Sequence, residues 1–143
     1  MSAVRRNIHP LAFSGGILLL TLALLLPFDG LTNSLQARQS MSIPNVFGGY
    51  DFSDGSRTMP NVFGGYSIYS PSGGAPIIGM PNLFGGMNFS NGLHSTSNVF
   101  GGQNIYAPNG GFLSTTPNVF GGSNFSSGGY TTPNVFGGFN YHF

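Results

Sequence analysis

The sequence predicts an all-β repeat array. Three observations carry that expectation: one short motif recurs six times, Gly, Pro and Asn interrupt the mature chain every ten residues or fewer, and Val, Ile, Phe, Tyr and Thr fill the intervals. The motif stands first as Pro44-Asn45-Val46-Phe47-Gly48-Gly49 and recurs from Pro60, Pro81, Ser97, Pro117 and Pro133, with Leu83 for Val and Ser97 for Pro as its departures. Its asparagines are Asn45, Asn61, Asn82, Asn98, Asn118 and Asn134, spaced 16, 21, 16, 20 and 16 residues apart. Short and long units therefore alternate, and the true period is 37 and then 36 residues. The units run 44–59, 60–80, 81–96, 97–116, 117–132 and 133–143, after a linker at 38–43.

Each unit reads as strand, turn, strand, turn. Short units continue as Asp51-Phe52-Ser53, Asn88-Phe89-Ser90 and Asn124-Phe125-Ser126, and long units as Ile68-Tyr69 and Ile105-Tyr106. Gly-Gly, Asp54-Gly55 and Asn91-Gly92 supply positive φ, while Pro71 and Pro108 open the extra turns of the long units. Treated as a two-residue hairpin turn, the Gly pair sets Phe120 opposite Ser123, Val119 opposite Asn124 and Asn118 opposite Phe125. Two architectures satisfy the pattern. A β-solenoid makes each unit a rung and stacks identical residues about 4.8 Å apart; an antiparallel meander, open or curled into a small barrel, joins neighbouring strands at the Gly turns. The alternating unit lengths favour rungs, because an insertion bulges from one solenoid edge without moving the stacked core.

Composition excludes several function classes. Charged residues make up 5% of the 143-residue chain, and beyond residue 37 the charges are Arg38, Asp51, Asp54 and Arg57, which cancel. Two arginines over that length cannot neutralise a phosphate backbone, so nucleic acid is not an expected partner. Without Cys, no disulfide or thiolate metal site is available. At the N-terminus, Arg5-Arg6 precedes an apolar run from Leu11 to Pro27, and Leu35-Gln36-Ala37 follows. That is the layout of a secretory signal cleaved after Ala37; the alternative is an uncleaved anchor, for which the run is at the short limit.

Residues able to do chemistry are few. His94 and His142 lie outside the repeated motif, and no nucleophile and base recur together, so the chain is not expected to be an enzyme and calls for no cofactor. Asp51 and Asp54 have Asn88, Asn91, Asn124 and Ser127 at equivalent positions, which fits turn chemistry rather than a metal site. Asn88-Phe89-Ser90 and Asn124-Phe125-Ser126 match the glycosylation acceptor pattern, and the repeat accounts for them. The recurring motif residues are the structural candidates. The six asparagines suit an amide ladder or a turn bond to the backbone. Phe47, Phe63, Phe84, Phe100, Phe120 and Phe136 are expected in the core, with an exposed patch that binds an external partner as the alternative.

A leader followed by Gly-, Asn- and Ser-rich strand-turn-strand units of about twenty residues resembles the organisation of curli-type bacterial functional amyloids. That resemblance implies a secreted structural protein at the cell surface that polymerises with itself, helped by an export or nucleator protein. The closing segment Gly138-Phe139-Asn140-Tyr141-His142-Phe143 resembles the last strand of outer-membrane β-barrels, which implies a small membrane barrel as an alternative. A third reading is a binding module that displays Pro71 to Gly74 and Pro108 to Gly111.

Overall fold

A computed structural model describes residues 40–142. The leader expected at residues 1–37 lies outside them. Twelve strands follow one another: β1 (Ser40–Pro44), β2 (Tyr50–Phe52), β3 (Arg57–Pro60), β4 (Tyr66–Tyr69), β5 (Ile77–Pro81), β6 (Met87–Phe89), β7 (His94–Ser97), β8 (Gln103–Tyr106), β9 (Phe112–Pro117), β10 (Ser123–Phe125), β11 (Tyr130–Pro133) and β12 (Phe139–His142). β1 takes up residues read from sequence as linker.

The strands form a closed antiparallel barrel in which each pairs with its neighbours in sequence and β1 pairs with β12. This corrects the solenoid expectation in favour of the barrel alternative. Every motif is a hairpin turn, so the chain reverses at each unit and identical residues come side by side around a ring, not one above another along an axis. The extra residues of the long units lie in the β4–β5 and β8–β9 turns, on the rim opposite the motif turns. An insertion there shifts no register, which is why unit length does not discriminate a solenoid from a barrel. The last unit closes the wall through Ser40↔Tyr141 and Met41↔Asn140.

The alternation of Phe and Ile units finds its reason in the interior. A barrel of twelve strands is wider than the eight-stranded size that side chains just fill, so large residues must point inward. Around its middle, Phe52, Ile68, Phe89, Ile105, Phe125 and Tyr141 are all buried in one cluster with Met87 and Leu93. Nearer the motif rim, the inward positions of β1, β3, β7, β9 and β11 are the short hydroxyl residues Ser42, Thr58, Ser95, Thr115 and Thr131, all buried. Their hydroxyls accept the N–H groups of Phe139, Tyr50, Met87, Gln103 and Ser123 at 2.9–3.0 Å. Gly79 holds the corresponding place in β5, where a Cβ would meet the Phe89 ring at 2.7 Å.

Tyr141 breaks the polar accounting. It is fully buried where the equivalent residues are Ile68 and Ile105, and among the described residues its hydroxyl meets only the Ser42 side chain, without a well-formed hydrogen bond. Ser42 lies close but engages the Phe139 backbone. Burial holds the phenol well above its ordinary value of 10.0, because the charged form is disfavoured away from water. Since the folded value exceeds the unfolded one, the neutral-phenol contribution is intact below pH 10 and is lost as pH rises toward the folded value. Tyr141→Phe is therefore expected to leave stability unchanged or raise it by about 1 kcal/mol at neutral pH, and to flatten the alkaline fall in urea stability. A steep fall persisting in Tyr141→Phe would place its cause elsewhere.

Candidate interaction surface

The motif turn is built around its asparagine. In the first copy, Asn45 Oδ1 accepts the N–H groups of Phe47 (3.1 Å) and Gly49 (3.0 Å), and its own N–H donates to the Gly49 carbonyl at 3.0 Å. Its Nδ2 then donates across to the next hairpin, to the Thr58 carbonyl at 3.0 Å. The same cross-hairpin bond runs from Asn61 to Gly79, Asn82 to Ser95, Asn98 to Thr115, Asn118 to Thr131, and Asn134 back to Ser42. The six amides thus stitch a closed ring of hairpins. Of the two uses expected for them, the turn bond is the one present.

This geometry moves the register away from the sequence expectation. Ser123 pairs with Pro117, Asn124 with Thr116 and Phe125 with Thr115. The loop is the whole Asn-Val-Phe-Gly-Gly segment, not the Gly pair, because the asparagine side chain takes the N–H groups that a longer ladder would have used. The strand consequently ends at the proline, which has no N–H to offer. The prolines sit under the neighbouring turn, where a Cβ on Gly48, with φ +83°, would lie 3.5 Å from Pro60 Cγ.

Val and Phe are left outside the sheet. The phenylalanines expected in the core are 58–72% exposed, and Val46, Val62, Leu83, Val99, Val119 and Val135 are exposed by 93% or more. All six turns crown the same rim, because antiparallel strands alternate direction and the motif always joins an odd strand to the following even one. Twelve apolar side chains therefore project from one end of the barrel on turns fixed by hydrogen bonds. Soluble monomers rarely expose apolar patches beyond roughly 300–600 Å². A buried aromatic side chain alone accounts for about 150–250 Å², so six exposed phenyl rings with six aliphatic tips exceed that range.

Charge is absent from the crown. None of the six turns contains a charged residue. Asp51 accepts from Asn45 Nδ2 at 3.2 Å and lies 3.8 Å from Arg57 on the outer wall. Asp54 closes a turn on the other rim by accepting the N–H and hydroxyl of Ser56 at 2.9 and 2.6 Å. His94 and His142 occupy the outer wall and stack on Tyr106 and Tyr130, with ring centroids 4.9 and 4.5 Å apart. Asn88 and Asn124 are exposed on that wall, and Ser90 and Ser126 accept the N–H groups of Ile78 and Ser114 at 3.0 Å, a structural use of the Asn-Phe-Ser segment.

The fold and surface define a class: a closed antiparallel β-barrel of short hairpins with an apolar crown on one rim. Compared with models of protein families, with curated proteins and with solved structures, the chain matches none. The crown as a surface corresponds to the lesser of the two sequence readings of the recurrent Phe, because Val and Phe in a β-rich repeat read first as core.

Proposed function

We propose that this chain is an exported structural protein that holds itself at a surface through the apolar crown. A single observation carries the reading: six aliphatic tips and six phenyl rings stand out from one rim on turns that hydrogen bonds hold rigid. Exposing that much apolar area costs solubility, and its burial against a partner is the term that repays it, at roughly 1.5–3 kcal/mol for a fully buried Val or Phe. The turns are ordered before contact, so docking loses little conformational entropy. Recruitment through open strand edges, the route by which functional amyloids grow, has no support in a wall whose two end strands pair with each other.

The outer-membrane alternative draws support from the closed wall but not from its dimensions or polarity. Among the described residues its longest strand, β9, has six residues, against about 9–11 in membrane barrels. Its outer wall sets Asn88, Asn124 and Asn140 among Met41, Ile43, Met80, Phe112 and Tyr130, and its interior is Phe and Ile at the middle with Ser and Thr nearer the crown. A membrane barrel instead has a continuous apolar band outside and a polar lumen.

The test is a chain in which Val46, Val62, Leu83, Val99, Val119 and Val135 are all replaced by Thr. These positions are almost wholly exposed, so folding is expected to survive. The unaltered protein should fractionate with the cell surface, and the altered one should be exported in equal amount but recovered free in the medium. Equal surface retention of both would refute the crown as the attachment face.

A further inference from the structure

The crown has one occupant that its own geometry specifies. Resting on the reading that this rim is a docking face, we propose that the partner is a second copy of the same chain, seated crown to crown. Three observations converge on it.

Area is the first. A standard stable interface buries about 800 Å² per partner, and six phenyl rings more than half exposed, at about 150–250 Å² each when whole, with six aliphatic tips, offer that much on one copy. Symmetry is the second. The six turns are near-copies of one another in a closed ring, so two crowns face each other with turn against turn in several rotational settings. Any of them is isologous, with the same patch on both partners. Charge is the third. The six turns carry no charge to desolvate or repel, Asp51 beside Asn45 is offset by Arg57 at 3.8 Å on the outer wall, and the absence of Lys and Arg from the turns removes the attraction to anionic headgroups by which interfacial membrane binders reinforce an apolar face.

The course of the chain agrees. β1 starts at Ser40 and β12 ends at His142, both at the rim opposite the crown. The described chain therefore enters and leaves the barrel at the end away from the crown. An isologous contact closes at two copies, so the crown by itself makes dimers, or clasps between two surfaces, and not fibres.

Sedimentation equilibrium of the exported chain across micromolar concentrations, with whatever leader the cell leaves on it, should give a mass that stops at two copies. The six-site Val/Leu→Thr protein should be monomeric, with a dissociation constant raised at least ~100-fold. Because the chain has no cysteine, Val99→Cys carrying pyrene reports the same contact without disturbing the other tips: excimer emission is expected from it and not from pyrene on Ser72→Cys at the opposite rim. A mass growing beyond two, or excimer from Ser72→Cys alone, overturns the crown-to-crown arrangement. A monomer throughout also overturns it, and phosphatidylcholine vesicles then separate the remaining cases. Flotation of the unaltered chain with loss in the six-site variant leaves the crown a docking face for lipid, whereas no flotation removes both readings.

Discussion

Asn134→Ala is expected to cost about 3 kcal/mol and to open the barrel at its seam. The side chain makes three hydrogen bonds: Oδ1 accepts from Phe136 and Gly138 at 3.0 Å, and Nδ2 donates to the Ser42 carbonyl at 2.8 Å. Each is worth about 1 kcal/mol net, and a partner left buried and unpaired adds to the loss. Small domains have only about 5–15 kcal/mol in total. The other five asparagines make the same bonds between hairpins adjacent in sequence, but Asn134 reaches across 92 residues to join the last hairpin to the first. Among the described residues the seam's other hydrogen-bonding support is two register pairs and the Ser42 hydroxyl. Urea unfolding followed by tyrosine fluorescence measures the effect, since the chain has six Tyr and no Trp. Asn134→Asp isolates the donor: it keeps both acceptor bonds, loses the bond to Ser42, and regains it only where the carboxyl is protonated, below a pH of about 3.9. A loss under ~0.5 kcal/mol in Asn134→Ala, the level of ordinary surface changes, would mean that the amide ring does not hold the wall closed.

The second large effect concerns the paired glycines, which answer to different constraints. Gly101 sits at φ +81° with the nearest neighbour of an added Cβ at 3.7 Å, so Gly101→Ala meets backbone strain alone, about 1–2 kcal/mol. Gly102 has no such φ, yet a Cβ there would lie 2.0 Å from the Thr115 carbonyl oxygen and 2.8 Å from its hydroxyl. That carbonyl is the one Asn98 Nδ2 bonds at 2.8 Å, and that hydroxyl accepts the Gln103 N–H at 2.9 Å. Neither can move without breaking its bond, so Gly102→Ala adds the loss of one or two hydrogen bonds to overpacking, about 3 kcal/mol or more. The order Gly102→Ala worse than Gly101→Ala, read from urea midpoints, tests the close approach of hairpins. The reverse order would make turn conformation the dominant reason for both glycines.

Much of the architecture was legible in the residues. Gly, Pro and Asn spacing excluded helices, and the 36–37-residue superrepeat identified units that share an inward Phe or Ile. The turn bond of the asparagines was one of two uses that their recurrence suggested. Register and phenylalanine burial were not legible, and for one reason. A Gly-Gly pair next to alternating apolar residues reads as a two-residue turn, but Asn118 Oδ1 captures the N–H groups of Phe120 and Gly122 and enlarges the loop to five residues. Phe120 then leaves the sheet.

Sequence alone established β-structure in place of helix, the six motif positions with their alternating spacing, and the scarcity of charge, since these follow from φ preferences, side-chain branching and composition within a few residues. Closure of the hairpins on themselves, the bond from Asn134 to Ser42 and the gathering of twelve apolar side chains on one rim appear first in the folded ring. Those outcomes depend on the sum of small twists and offsets around a whole ring, and no local stretch of chain encodes that sum.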